Sequence, residues 1–258
     1  MSGHASGDRL AVLAFHSISP DSGPTSIPPG TFRMQLDALA ELGFRTMTCA
    51  EFSEWRGGRL DASRRVLITF DDGYADFATT AFPALRERSF SAVVFVPTGK
   101  LGKREDWDGA HSPPRPLMDW STVVELARGG VEFGGHGVSH ADLTRLDPDR
   151  RREEIEGSAR ELCERLGQRP RCFAAPYGRV SAATLADIAH SYEAAFGTRF
   201  ARATVNRDRF DVPRIEMHYF RNARNWRGFL QGHASYFVVR RTLRGARNAA
   251  LAARRVFD

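Results

Sequence analysis

Cysteine is scarce in this chain. Cys49, Cys163 and Cys172 are widely spaced and no C-x-x-C occurs. An odd, scattered set excludes a disulfide framework and has no metal-site spacing, so all three are expected to be buried structural thiols in a reducing compartment. Long apolar runs are also missing: none approaches the ~18 residues that crossing a bilayer requires. Leu10–Phe15, behind a polar Gly/Ser-rich start, is too short for a secretory h-region and lacks a small-residue cleavage site. A cytoplasmic protein is expected on this reading. The body of the chain has little net charge. Of the formal +6, residues 236–258 carry +5 through six arginines and Asp258, leaving +1 for everything before them. A nucleic-acid binder carries its basic surface on the fold itself, so no nucleic-acid partner is expected. The sequence is silent on oligomeric state.

The 258 residues are 42% hydrophobic and 26% charged, ample for a globular core. Strand-like apolar runs begin at Leu10, Val66, Ala92, Val131, Cys172, Ala194 and Pro213, with a shorter one at Thr46–Thr48. Helical patterns fall between them, at Thr31–Leu42, Cys49–Arg56, Asp76–Arg88 with a bend at Pro83, Asp119–Arg128, Pro148–Leu166 and Ser181–His190. Seven strands alternating with helices predict an α/β fold with a parallel sheet. His16, Asp71, Asp72, His136, His140 and Tyr177 all fall just past strand C-termini, which favours closure into a barrel. With no internal linker or repeat, residues 9–235 read as one catalytic domain and 236–258 as a basic amphipathic C-terminal helix.

Val66–Phe70 runs directly into Asp71-Asp72-Gly73. Two adjacent carboxylates at the mouth of a buried strand repel and lose solvation, and a cation bound by one of them is the simplest compensation. His136-Gly137-Val138-Ser139-His140 follows another short apolar segment. An acidic pair and a His-x-x-x-His, each at a strand end, are the components of a metal-assisted hydrolase.

Thr69-Phe70-Asp71-Asp72-Gly73, His136-x-x-x-His140 and Phe173-Ala174-Ala175-Pro176-Tyr177-Gly178 resemble, in order and spacing, the successive motifs of the polysaccharide deacetylases, the NodB-homology or family 4 carbohydrate esterases. Leu13-Ala14-Phe15-His16-Ser17-Ile18 is similar to the Tyr-His-Ser-Ile start of the subgroup containing poly-β-1,6-N-acetylglucosamine deacetylases. The resemblance spans roughly residues 9–220. It implies a distorted (β/α)7 barrel and removal of N-acetyl groups from an amino sugar or glycan. Asp71 would be the general base. Asp72, His136 and His140 would hold a divalent metal, usually zinc, and the backbone N–H of Tyr177, set by the Pro176 turn, would receive the oxyanion. Pro176, Tyr177 and Arg214 are expected along the substrate. His16 is expected as the general acid in preference to His218, whose Ile215-Glu216-Met217-His218 only partly matches the family's late Leu-x-His. The chain departs from the family at Ala174, where an arginine usually orients the base; Arg214 is the candidate to reach that carboxylate from another strand. Gly137 and Ala175 also replace larger residues.

Other readings stand beside these. The same machinery would serve an O-acetyl ester, and a catalytically silent carbohydrate-binding barrel is the alternative from another class. Without export signals, a nucleotide- or lipid-linked sugar is a candidate substrate. Trp107 and Trp120 flank a long loop, where packing is favoured over stacking on a sugar. His4, His111, His190 and His233 belong to no motif and read as surface or structural. In the tail, Tyr236, Val239, Leu243, Ala246, Ala250, Ala253 and Phe257 form one stripe. Packing of that stripe across the barrel is favoured over peripheral contact with an anionic membrane.

Overall fold

The computed structural model describes residues 7–254 apart from 108, 206 and 208, with side chains as far as residue 246. His4, Phe257 and Arg255 lie outside the described residues, as do the side chains of Arg247, Ala250, Ala253 and Arg254. Among the described residues nine strands form: β1 (Arg9–Phe15), β2 (Arg45–Thr46), β3 (Arg65–Phe70), β4 (Val93–Val96), β5 (Glu132–Gly135), β6 (Cys172–Ala174), β7 (Ala194–Phe200), β8 (Ala203–Thr204) and β9 (Val212–Glu216). Seven of them close into a parallel barrel in the order β1-β3-β4-β5-β6-β7-β9 and back to β1. The closure is sealed by Leu13 opposite Ile215 and Ala11 opposite Val66. β2 pairs with the start of β3, and β8 lies antiparallel on the start of β1. The fold is thus the expected distorted (β/α)7 barrel.

Strand alternation decides what fills the barrel. Side chains of a strand point alternately to its two faces. Leu10 and Val12 of β1, Leu67 of β3, Val93 and Phe95 of β4, Cys172 and Ala174 of β6, and Val212 of β9 meet in one interior cluster. The intervening Ala11, Leu13, Phe15, Val66, Ile68, Phe70, Val94 and Ile215 face outward onto the helices in a second cluster. Extending the interior series past the strand ends reaches His16 after β1, Asp71 after β3, His136 after β5, and Arg214 with Glu216 on β9. The period-two pattern that packs the barrel therefore also aims these side chains at its mouth.

The helices are α1 (Pro29–Glu41), α2 (Cys49–Arg56), α3 (Phe82–Arg86), α4 (Trp120–Arg128), α5 (Pro148–Leu166), α6 (Ala182–Ser191), α7 (Ala223–Leu230) and α8 (Ser235–Arg254). Several ends follow from local chemistry. Thr48 and Glu51 make a capping box on α2, Asp119, Asp147 and Ser181 cap α4, α5 and α6, and Gly167 ends α5 in a left-handed conformation. The single bent helix expected over Asp76–Arg88 is instead a π-helical turn, Phe77–Ala81, feeding the short α3. Pro83 has no N–H to give the preceding turn, so the helical ladder changes register there.

Two further expectations need correction. Cys49 and Cys172 are buried with their sulfurs 3.0 Å apart, but Cys163 is exposed on α5. Over its described side chains the C-terminal helix also docks by a face that shares only Tyr236 with the expected stripe. Phe237 is buried against Phe200 and Phe229, and Tyr236 and Arg240 are half-buried, while Val239 and Leu243 are 56% and 58% exposed. No helix of the described residues is long and apolar enough to cross a membrane.

Candidate active site

β3 delivers Asp71 and Asp72 to the barrel mouth together, although consecutive strand residues face opposite ways. The conflict is resolved by Asp72 taking a left-handed conformation, φ 72°, followed by Gly73 at φ 70°. Such a φ costs a non-glycine residue roughly 1–2 kcal/mol and persists only where surrounding contacts enforce it. His140 is held at φ 63° on the facing loop. Both bent residues turn toward one point. His136 Nε2 and His140 Nε2 each lie 3.2 Å from Asp72 Oδ1, and all three residues are buried.

The loop carrying the histidines is held from outside the motif. Glu154 of α5 accepts hydrogen bonds from the backbone N–H of Val138 (2.8 Å) and Ser139 (2.9 Å) and from the Ser139 hydroxyl. His136 Nδ1 sits 2.7 Å from the carbonyl oxygen of Ala174, which can only accept, so this nitrogen carries the proton. Its Nε2 lone pair then faces a carboxylate oxygen, an arrangement that wants a positive charge between them. The buried Nδ1 of His140 has no hydrogen-bond partner among the described residues. Two imidazoles and a carboxylate, with their donor atoms within 4.8 Å of one another, make a donor set that suits a divalent transition ion. The residues present fit that group.

Electrostatics point the same way. Burial opposes the ionised form of Asp72, but the adjoining His136 and His140 rings outweigh it and hold the carboxyl well below its usual range. For His136, burial disfavours the charged ring, yet Asp72 and Asp71 raise its pKa. Burial wins at His140, whose pKa is lowered.

Asp71 is held by a different partner. Arg214 Nη1 donates to its Oδ1 at 2.6 Å and Nη2 to its Oδ2 at 2.7 Å, a two-pronged ion pair that is 3% and 6% exposed. The guanidinium is fixed in turn by the Thr69 hydroxyl (3.2 Å) and the Gly197 carbonyl (2.9 Å). Burial works against the Asp71 charge and Arg214 overcomes it, so the carboxyl pKa falls. The guanidinium absent at Ala174 is thus supplied from β9. Arg214 lies beneath the carboxylate and not along the cleft wall, so the expected substrate contact is replaced by one to Asp71. His16 Nε2 is 3.8 Å from Asp71 Oδ2 on the open side. His218 sits elsewhere, its Nδ1 accepting from Arg221 at 3.0 Å beside Tyr219.

His16, Asp71, Asp72, His136 and His140 line a pocket of about 190 Å³ together with Thr25, Trp107, Arg115, Ala175, Tyr177 and Thr198. Tyr177 occupies a left-handed turn at φ 60° between buried Pro176 and Gly178. Pro176 shapes that turn from behind and does not line the pocket. The Trp107 ring stacks on His140, centroids 4.1 Å apart and 27° between planes, so it belongs to the site and not to the core. Trp120 packs against the outer core under Arg165.

Several supports had no readable signal in the sequence. Glu105, with its side chain 0% exposed, accepts from Arg115 Nε (2.8 Å), Tyr74 Oη (2.7 Å) and the His111 N–H (3.0 Å), which pins the loop bearing Trp107. Glu216, the last residue of β9, has a carboxyl pKa raised by burial, with His16 and Arg244 acting against that rise. Glu105 and Glu216 are far apart in sequence, and neither is a residue that the motifs single out.

Comparison with known proteins places this geometry in a group. The family model described as polysaccharide deacetylase matches residues 59–195. YxkH of Bacillus subtilis (strain 168), which carries a polysaccharide deacetylase name, is 26% identical over 178 residues, 69% of this chain and 60% of its own length. The poly-beta-1,6-N-acetyl-D-glucosamine N-deacetylase of Escherichia coli (strain K12) is 31% identical over 137 residues, 49% of this chain but only 20% of that protein. The chain therefore corresponds to part of these relatives' length. Among solved structures, IcaB from Ammonifex degensii superposes with a TM-score of 0.73 at 28% identity, covering 87% of this chain and 98% of that one. The Streptococcus pyogenes deacetylase PplD, solved with acetate, gives 0.71 at 25% identity, covering 80% and 91%.

Proposed function

Because the chain belongs to the polysaccharide deacetylase family, we propose that it hydrolyses the N-acetyl amide of an amino sugar or glycan, releasing acetate and leaving a free amine. The observation that carries this reading is the meeting of Asp72, His136 and His140 at one point, with Asp71 and His16 beside them in a single pocket. The acetate in the PplD structure and the substrate named for the Escherichia coli relative agree with it.

Asp72, His136 and His140 would hold a divalent cation, with zinc the choice that best suits the donor set; when bound it supplies an acidified water and polarises the acetamide carbonyl. Asp71 takes the proton from the attacking water. Arg214 keeps that carboxylate ionised and fixes the direction of its free lone pairs, the task usually given to an arginine at the place of Ala174. The Tyr177 backbone N–H donates to the carbonyl oxygen as negative charge grows there, in a turn already strained into position. His16, beside Asp71 on the pocket wall, gives the proton that the departing amine needs. Trp107 offers an aromatic face at the mouth, suited to an apolar sugar face, while its loop is anchored by Glu105 and Arg115. An O-acetyl ester would meet the same groups.

The test is acetate release from N-acetylglucosamine oligosaccharides by zinc-loaded protein, with Asp71→Asn as the control. Turnover by the wild type and its loss by about 10²–10⁴-fold in the variant is expected. Absence of acetate from any N- or O-acetylated saccharide sinks the assignment in favour of a silent binding barrel.

A further inference from the structure

The catalytic pocket has a neighbour. Gly178 and Thr198, which line the pocket, also line a groove of about 850 Å³ running outward between β7 and α8. A pocket of about 190 Å³ is small for an extended substrate, and this shared wall gives such a substrate a way out of it.

The groove is built from arginine. Arg179, Arg199, Arg241 and Arg244 line it, against one carboxylate, Asp211. Two of these cations already have acids: Arg179 bonds Asp142 at 2.6 Å, and Arg199 lies 3.7 Å from Asp211. Arg241 and Arg244 have no carboxylate within ion-pair distance among the described residues. Arg244 is half-buried at the shared wall, where its Nη2 donates to the Thr198 carbonyl at 3.0 Å and its guanidinium lies 5.9 Å from the Phe200 and Tyr219 rings. Arg241 lies 5.8 Å above the Phe237 ring. Guanidinium groups held by rings and a carbonyl keep most of their five N–H donors unspent and are already oriented. Their planar fork matches a phosphate or carboxylate. Docking of α8 alone accounts for the ring contacts. It does not account for two cations without a carboxylate at ion-pair distance among the described residues, beside two others in a groove that opens into the catalytic pocket.

We propose that this groove is a subsite for an anionic group of the substrate, a phosphate or carboxylate lying beyond the sugar whose acetamide is cleaved, with Arg241 and Arg244 as its principal contacts. The substrate class is then an anionic N-acetylated saccharide and not a neutral polymer. This rests on the deacetylase reading and narrows it.

Calorimetric titration of the full chain at low ionic strength tests the subsite with three probes. They are uridine diphosphate N-acetylglucosamine, a tetrasaccharide alternating N-acetylglucosamine with glucuronate, and a neutral N-acetylglucosamine tetramer. At least one anionic probe is expected to bind about tenfold tighter than the neutral one. That ratio should fall several-fold in R241Q/R244Q and return in part in R241K/R244K. Whichever anion binds better identifies phosphate or carboxylate as the natural group. Because Arg244 also anchors α8, the single Arg241→Gln variant, altered at an exposed position, must show part of the same loss with an unchanged melting temperature. Equal affinity for all three probes, or a ratio that survives the double substitution, overturns the proposal. So does an effect confined to vesicles containing anionic phospholipid. Acetate release from the same probes separates the two levels: release without anion preference removes the subsite alone, and an arginine-dependent preference without release removes the deacetylase reading alone.

Discussion

Replacing Arg214 by methionine should be the most damaging single change outside the metal-ligating residues. The methionine retains much of the arginine stem's packing but leaves Asp71, 5% exposed, without its two charge-assisted hydrogen bonds. Removing one partner of a buried ion pair costs about 3–5 kcal/mol, because the survivor is stranded in a low-dielectric site. In a chain of this length each kcal/mol moves the thermal midpoint by about 2–4 °C, so a fall of roughly 10 °C is expected. The decisive form is a double-mutant cycle by urea unfolding with Arg214→Met, Asp71→Asn and the pair. With neither charge orphaned, the double variant should recover much of the loss, giving a coupling of about 2 kcal/mol or more. Arg214→Lys keeps a charge but cannot reach both oxygens, so kcat should fall about tenfold with KM little changed. A loss below about 1 kcal/mol in Arg214→Met, or a cycle without coupling, refutes the view that this arginine holds the base.

Three further expectations follow from the same geometry. His16→Ala should lower kcat by about 10²–10⁴-fold while His218→Ala stays close to wild type, since only the former stands at the pocket beside Asp71; steady-state kinetics showing the reverse would transfer the acid to His218. Glu105 is drawn down to about 2 from 4.5: burial opposes its charge, and bonds from Arg115 and Tyr74 outweigh that. A depressed carboxyl pKa stabilises the fold above the unfolded value, so about 3 kcal/mol should vanish as pH falls from 4.5 toward 2. Glu105→Gln should lack that acid-limb loss in denaturant titrations across the window. Gly178→Ala places a methyl against the Thr198 side chain at a residue with φ 64°, and should cost about 2–4 kcal/mol and raise KM; a neutral outcome in melting and kinetics would mean the Tyr177 turn is pliable.

The barrel and the residues at its mouth were legible because both rest on one local rule. Period-two burial identifies Leu67, Thr69 and Asp71, or Val212 and Arg214, as one face without reference to anything distant. The supports were not legible, because each depends on a partner far away in sequence. Glu154 stands 15 residues past the loop it ties, and Glu105 reaches back 31 residues to Tyr74. α7 is not legible because its 8 residues, about two turns, bury two aromatics, Trp226 and Phe229, too few to show a period. The docked face of α8 is hidden in the sequence for a different reason. Counting apolar residues favours Val239 and Leu243, whereas Arg240 and Arg244 bring long stems and flat cationic heads onto Tyr219, Tyr236 and Phe200. The Trp107 contact with His140 was equally out of reach, since it depends on the path of a loop and not on any repeat.

Zinc uptake by metal-freed protein, followed by titration calorimetry in wild type and in Asp72→Asn, His136→Gln, His140→Gln and Asp71→Asn, goes straight to the central claim. One ion per chain is expected, with affinity lowered about 100-fold or more by each of the first three changes. Asp71→Asn should keep its ion yet release no acetate. A chain that takes up no divalent ion, or whose uptake ignores residues 72, 136 and 140, would contradict the account.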